Sequence, residues 1–171
     1  MCNIFLDCTY PFIKIKFLIC CMNTLLVSLK HFHCENIFKG RKTLDIRKRR
    51  PRAIIREGKF YPALFKYILI YDSTCGELIG FVRAGEIITR TSSEWTEDEI
   101  KSLCMSREEI IEYLKFPSAV GFGIRISRPK LFPNPIPREV MIRDFNIKPP
   151  QHPRYLIEDE ARKIAIYATR T

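Results

Sequence analysis

Apolar positions along the chain change period several times, and each change marks an element. Thr24 to Val27 is a short β-prone run, and Ser28 has the side chain of a helix N-cap. Leu29, Phe32, Ile37 and Phe38 then recur at helical spacing up to Lys39, where Gly40 supplies a left-handed stop. Lys66 to Tyr71 (KYILIY) reads as a buried strand, Asp72 to Glu77 (DSTCGE) as a turn, and Leu78 to Thr89 as the second strand of a hairpin. Ser106 with Glu109 forms a capping box, and Ile110, Ile111 and Leu114 give the helix from Arg107 to Lys115 its apolar face. A weaker helix precedes it from Thr96. Ala119 to Ser127 (AVGFGIRIS) alternates as a central strand does, and Pro129, Pro133, Pro135 and Pro137 impose an extended, non-helical connection after it. Pro149, Pro150 and Pro153 make another loop. From Ile157 to Tyr167 the acids Glu158, Asp159 and Glu160 precede Arg162 and Lys163, the order that a helix dipole favours.

A chain of 171 residues is long enough for one core of ordinary size and short for two domains. With 46% hydrophobic and 28% charged residues, disorder is excluded as the main state. Residues 1–21 stand apart. Their apolar run is broken by Asp7, Pro11, Lys14 and Lys16, so it falls short of the roughly 20 apolar residues of a membrane span. The charge order is also wrong for a secretory signal. The expectation is an extension over 1–21, which a translation start at Met22 would leave out, a domain over 22–156, and a C-terminal helix and tail over 157–171. Seven cysteines without a repeated spacing argue for a reduced, cytoplasmic protein and not a disulfide scaffold. His31, His33 and Cys34 are the one local cluster with metal-ligand chemistry. On a helix His31 and His33 diverge by about 200°, so no metal and no cofactor is expected.

Charge changes the picture more. Twenty-nine Lys and Arg against 19 Asp and Glu leave +10. The segment 39–59 alone carries ten basic and two acidic residues, so the excess is localised and points to a polyanionic partner. Residues 85–115 are acidic, with a local net charge of −4. Within the basic segment, Gly40 delivers Lys42, Asp45 and Arg47, and Lys48, Arg49, Arg50 and Arg52 follow. If the chain leaves the glycine as a strand, Asp45 and Arg47 share a face, where Arg47 can read a polar base edge while Lys42 points its charge toward phosphate. The plainer alternative is a solvated basic loop in which Asp45 merely pairs Arg47. Among the aromatics, Tyr71 and Tyr155 are the candidates for a cleft wall on which bases stack, and Trp95 and Tyr113 are expected to pack in the core.

Gly40 to Arg47 resembles the G-x-K-x-x-E-x-R signature of the ASCH domain family. The order of the remaining segments matches too: KYILIY, Glu77-Leu78-Ile79-Gly80, the helix at 107–115, Ala119 to Ile126 and Pro135-Ile136-Pro137. The closing Pro149-Pro150-Gln151-His152-Pro153-Arg154-Tyr155-Leu156 resembles the ending of archaeal and phage-type members. The resemblance implies an α+β fold, a PUA-like and mostly antiparallel β-barrel flanked by helices. It also implies RNA or nucleotide binding in a cleft lined by Lys42, Asp45 and Arg47, with Lys48, Arg49, Arg50, Arg52, Tyr71, Arg154 and Tyr155 around it. DNA remains open, as does the oligomeric state; a membrane is not expected. Asp45 replaces the family's usual Glu, one methylene shorter. A bacterial branch of the family removes acetyl groups from N4-acetylcytidine. On that alternative Lys42, Asp45 and Glu109 would be catalytic, although Asp45 stands where that branch has a Thr and cannot act as its hydroxyl does.

Overall fold

The computed structural model describes residues 24–51, 54–56, 59–61 and 65–169. The expected extension over 1–21 lies outside these residues, as does Arg52. Two long strands organise the described fold: β6 (Glu77–Thr91) and β7 (Val120–Pro137) pair antiparallel along nearly their whole length. On one side of them β2 (Leu44–Arg47) adds to β7; on the other lie β5 (Tyr67–Asp72), β1 (Thr24–Leu29) and β8 (Arg154–Leu156). The six strands run in the order β2-β7-β6-β5-β1-β8. Among the described strands only β1 and β5 pair in parallel. A separate two-stranded ribbon joins β3 (Ile54–Arg56) to β4 (Lys59–Tyr61).

The buried strands have an apolar layer on each face, which explains the uninterrupted apolar run of KYILIY. Leu25, Val27, Ile68, Ile70, Val82, Ile124 and Ile126 pack with Cys34 and Ile37 of helix α1 (His31–Phe38). Alternate residues Leu26, Leu69 and Tyr71 face the other way. There they meet Met141 and Phe145 of α4 (Arg138–Phe145) and Ala161, Ile164, Ala165 and Ala168 of α5 (Glu158–Ala168). A third cluster joins Leu44 and Ile46 of β2 to Trp95, to Ile100 and Leu103 of α2 (Glu97–Leu103), and to Ile110 and Leu114 of α3 (Arg107–Leu114). Both α2 and α3 begin with complete capping boxes, Thr96 with Glu99 and Ser106 with Glu109.

Two expectations are corrected here. The sheet is not a closed barrel. β2 offers four residues and β8 three, and each is hydrogen-bonded on one side alone, to β7 and to β1. Register shifts in β6–β7 between Leu78 and Gly80, Phe81 and Arg83, and Ala84 and Ile87 interrupt the ladder as bulges do, which bend strands without joining the sheet's edges. Ser28, in turn, does not cap α1. It belongs to β1, and its hydroxyl donates to the Pro150 carbonyl at 2.7 Å, tying the proline loop to the sheet, while Lys30 takes the N-cap position without a side-chain bond. The prolines after Ser127 stay within β7. Beyond Ile126, whose amide donates to Thr43 O, β7 pairs with no described strand on its second side, so the missing N–H groups interrupt no ladder there. Among the described residues no helix is long and apolar enough to cross a membrane.

At Gly80 the backbone of β7 leaves no room for a side chain on β6. A Cβ there would stand 2.4 Å from the Lys130 carbonyl oxygen and 3.0 Å from Leu131 Cα, both backbone atoms. We expect Gly80→Ala to destabilise the fold by about 1–3 kcal/mol, an overpacking cost, read as a lower urea midpoint with unchanged slope.

Candidate functional site

Gly40, at φ +73°, ends the turn after α1 and sends the chain into β2. The Asn36 carbonyl accepts the amides of Arg41 and Lys42, each at 2.9 Å. Thr43 N donates to Ser102 O at 3.0 Å, and Thr43 O accepts from Ile126 N at 2.9 Å. Lys42 is thereby carried inward. Its side chain is 1% exposed, and Nζ donates to Leu103 O at 2.8 Å, the carbonyl end of α2 that a cation suits. Burial, foremost, holds the Lys42 ammonium below its ordinary pKa, while Asp45 opposes that shift. Asp45 lies between two cations, with Oδ1 3.9 Å from Lys42 Nζ and Oδ2 accepting Arg47 Nε at 2.7 Å.

Arg47 turns this buried group toward a cavity of about 370 Å³. Its walls are Arg47, Lys48, Arg49, Arg50 and Pro51 on one side, Tyr113 of α3, and Gln151, His152, Pro153 and Tyr155 on the other. The cavity therefore sits between the segment that leaves edge strand β2 and the segment that enters edge strand β8, in the gap that a closed barrel would seal. Lys48 Nζ lies 4.8 Å from the centre of the Tyr113 ring, a cation–π contact. Tyr155 packs edge-on against Phe65 at 5.9 Å, and burial pushes its hydroxyl up to about 12. Arg47 Nη2 and Tyr155 OH are both buried without a hydrogen-bond partner among the described residues. Such groups cost free energy unless something else pairs with them.

The sequence-proposed residues are thus divided. Arg47, Lys48, Arg49, Arg50 and Tyr155 line the cavity together. Lys42 and Asp45 lie beneath it, buried, and reach it through Arg47. Arg154 pairs with Glu160 of α5, and Tyr71 is buried in the core between the sheet and α4–α5. The Glu109 carboxylate caps α3 by accepting Ser106 N at 2.7 Å. Trp95 is core, at 1% exposure, but Tyr113 is a cavity wall and not simply packing. His33, weighed in the sequence only as a metal ligand, belongs to this neighbourhood instead. Its Nδ1 is buried without a described partner, and the charges of Lys42, Asp45, Glu109 and Arg47 all act on it. The signal in the sequence was its place on α1, three and four residues before Asn36 and Ile37, which are both buried.

Three solved structures share this architecture. The ASCH protein of Zymomonas mobilis superposes with a TM-score of 0.68 at 22% identity, covering 84% of this chain and 94% of that one. Two single-substitution mutants of the same protein give 0.69 and 0.68, at 22% and 21% identity, with 95% and 96% of those chains covered and again 84% of this one. This chain has the ASCH fold. No family model and no curated protein matches the sequence. The ASCH fold here is an α+β arrangement with an open, mixed six-stranded sheet and five described helices.

Burial, foremost, and then Lys42 hold the His33 imidazole below its ordinary pKa of 6.5. The folded state therefore takes up this proton less readily than the unfolded chain does. The stabilisation from His33 is fully present above pH 6.5 and is lost as pH falls through the lowered folded value. We expect His33→Gln to flatten the acid side of the stability profile, measured as urea midpoints from neutral to mildly acidic pH.

Proposed function

We propose that this chain is an ASCH-family protein that binds single-stranded RNA, taking one nucleotide into the cavity between the two sheet edges. Its closing segment, 149–156, follows the archaeal and phage-type pattern. The observation that carries the reading is the composition of the cavity. Four consecutive cationic side chains, Arg47 to Arg50, stand opposite Tyr155 and beside Tyr113, and two buried polar groups lack a partner among the described residues. The cations suit phosphates and the tyrosine rings suit unpaired bases, while Arg47 Nη2 and Tyr155 OH suit the carbonyl or amide edge of a base. A volume near 370 Å³ lies in the range of small-ligand sites, about 300–1,000 Å³.

Binding is favoured over deacetylation of an acylated nucleoside by where Lys42 lies. Its ammonium is enclosed and bonded to the Leu103 carbonyl, and the Glu109 carboxylate is occupied by the α3 cap. On this reading Lys42 and Asp45 are positioning residues, and they hold the guanidinium of Arg47 at the cavity wall.

Fluorescence anisotropy with a short single-stranded RNA across a salt series tests the proposal. Arg49→Ala and Arg50→Ala are each expected to reduce the salt slope by about 0.7, the single-strand value per phosphate contact. Tyr113→Ala is expected to cost about 1–3 kcal/mol of affinity, the loss of one stacking platform, at unchanged slope. Equal loss of RNA and heparin binding in the arginine variants, with no effect of Tyr113→Ala, would leave only attraction between a cationic surface and any polyanion. Release of cytidine from N4-acetylcytidine by the wild-type chain and not by Lys42→Ala would replace binding by catalysis.

A further inference from the structure

At the opposite end of α1 from the Gly40 turn, three ligand-type side chains converge from three segments. His31 opens α1, Asp72 ends β5, and Cys75 lies in the turn to β6. His31 Nδ1 is 2.7 Å from Asp72 Oδ2 and 3.6 Å from Cys75 Sγ, and the three donor atoms all lie within 4.8 Å of one another. The partners of His31 are therefore neither His33 nor Cys34, its neighbours in sequence. We propose that His31, Asp72 and Cys75 form a binding site for a thiophilic divalent cation, zinc above all.

Chemistry and geometry agree on that class of ion. Imidazole, thiolate and carboxylate together suit zinc and not magnesium or calcium, which take oxygen donors. Bond lengths of about 2.0 Å to N or O and 2.3 Å to S place the N and S atoms of a tetrahedral zinc about 3.6 Å apart. That is the His31–Cys75 separation found here. The His31–Asp72 pair must open from 2.7 Å to about 3.3 Å, a change that side-chain rotation supplies once the metal replaces the shared proton. Three protein ligands leave a fourth position for water or an added ligand.

The surroundings are already organised for a ligand set. The second oxygen of Asp72 accepts the backbone amides of Thr74 at 2.9 Å and Cys75 at 3.2 Å, so the turn fixes the carboxylate and Asp72 is 1% exposed. His31 N donates to Thr74 Oγ1 at 3.2 Å, and Ser73 N donates to Leu29 O at 2.8 Å, locking the start of α1 to the same turn. Supporting bonds of this kind orient metal ligands. His31 remains 58% exposed and Cys75 is exposed, so an ion can enter. An activated nucleophile is the competing use of a cysteine beside a histidine. Desolvation and the Asp72 carboxylate push the Cys75 thiol up, which disfavours a free thiolate, whereas a bound cation displaces the thiol proton and stabilises the thiolate itself.

The test is titration of the reduced, metal-free full chain with Co²⁺, followed by competition with Zn²⁺. The wild type is expected to show a thiolate-to-cobalt charge-transfer band saturating at the site, and zinc is expected to raise Tm. Cys75→Ser is expected to remove that band. His31→Ala is expected to weaken zinc binding by at least about tenfold, the scale on which metal sites respond to lost supporting groups. Both residues are exposed, so neither substitution opens the core, and Cys104→Ser serves as a thiol control that keeps the band. Cysteines 2, 8, 20 and 21 are unchanged in every variant, so any signal from them cancels in the differences. Identical titrations of wild type, Cys75→Ser and His31→Ala would overturn the proposal. So would a band that depends on Cys75 and ignores His31, which would mean a thiol binding metal alone.

Discussion

The carboxylate of Asp45, buried and shared between Lys42 and Arg47, is the contact on which the candidate site depends. A lone charge at 4% exposure is costly, and two cations together make the position tolerable. The arrangement commits each partner. Lys42 must follow Asp45 inward and satisfies the rest of its ammonium on the end of α2, while Arg47 spends Nε on the carboxylate and keeps Nη2 without a partner among the described residues at the cavity. One acidic side chain on an edge strand thus aligns a helix, a turn and a guanidinium. Glutamate, the usual residue of the resembled signature, carries the same charge on a longer arm. With aspartate the contact to Arg47 is made two residues along the same strand, at 2.7 Å.

Elements written in local chemistry were legible before the structure. The capping box of Ser106 and Glu109 names its helix within four residues, and KYILIY marks a strand that fills both faces because every position in it is apolar or aromatic apart from the first. The Gly40 turn was also readable, since a left-handed residue after a helical run has few other uses. Elements that rest on distant partners were not. Ser28 has the right chemistry for a helix cap, but pairing of β1 with β5 through Ser28–Tyr71 and Leu29–Asp72 claims the residue for a strand. Helix α4 hid behind the proline run, although Pro137 occupies its N-cap and Met141 and Phe145 fill the core. Closure of the barrel was inherited from the resemblance and turned on whether two short edges meet, which no local pattern encodes.

The site was legible as charge and partly illegible as geometry. The run from Arg47 to Arg50 announced itself, and these residues do share one cavity. Burial was the missing variable. A lysine inside a basic segment reads as exposed, yet the turn bonds of Asn36 and Thr43 take Lys42 inside. Tyr71 and Tyr155 looked alike as aromatics near strand ends, and the pleat sends one to the core and the other to the cavity. His33 and Tyr113 needed the third dimension, since what qualifies them is the company of residues far away in sequence.

The gap between β2 and β8 has a mechanical consequence. Among the described residues no backbone hydrogen bond joins the two rims of the sheet, and the wall at Pro51 faces the wall at Gln151 across the cavity. A molecule that touches both acts as a removable cross-link, closing the long chain path from one rim to the other. Whatever fills the cavity therefore joins the first strand of the sheet order to the last through contacts that the described backbone does not make.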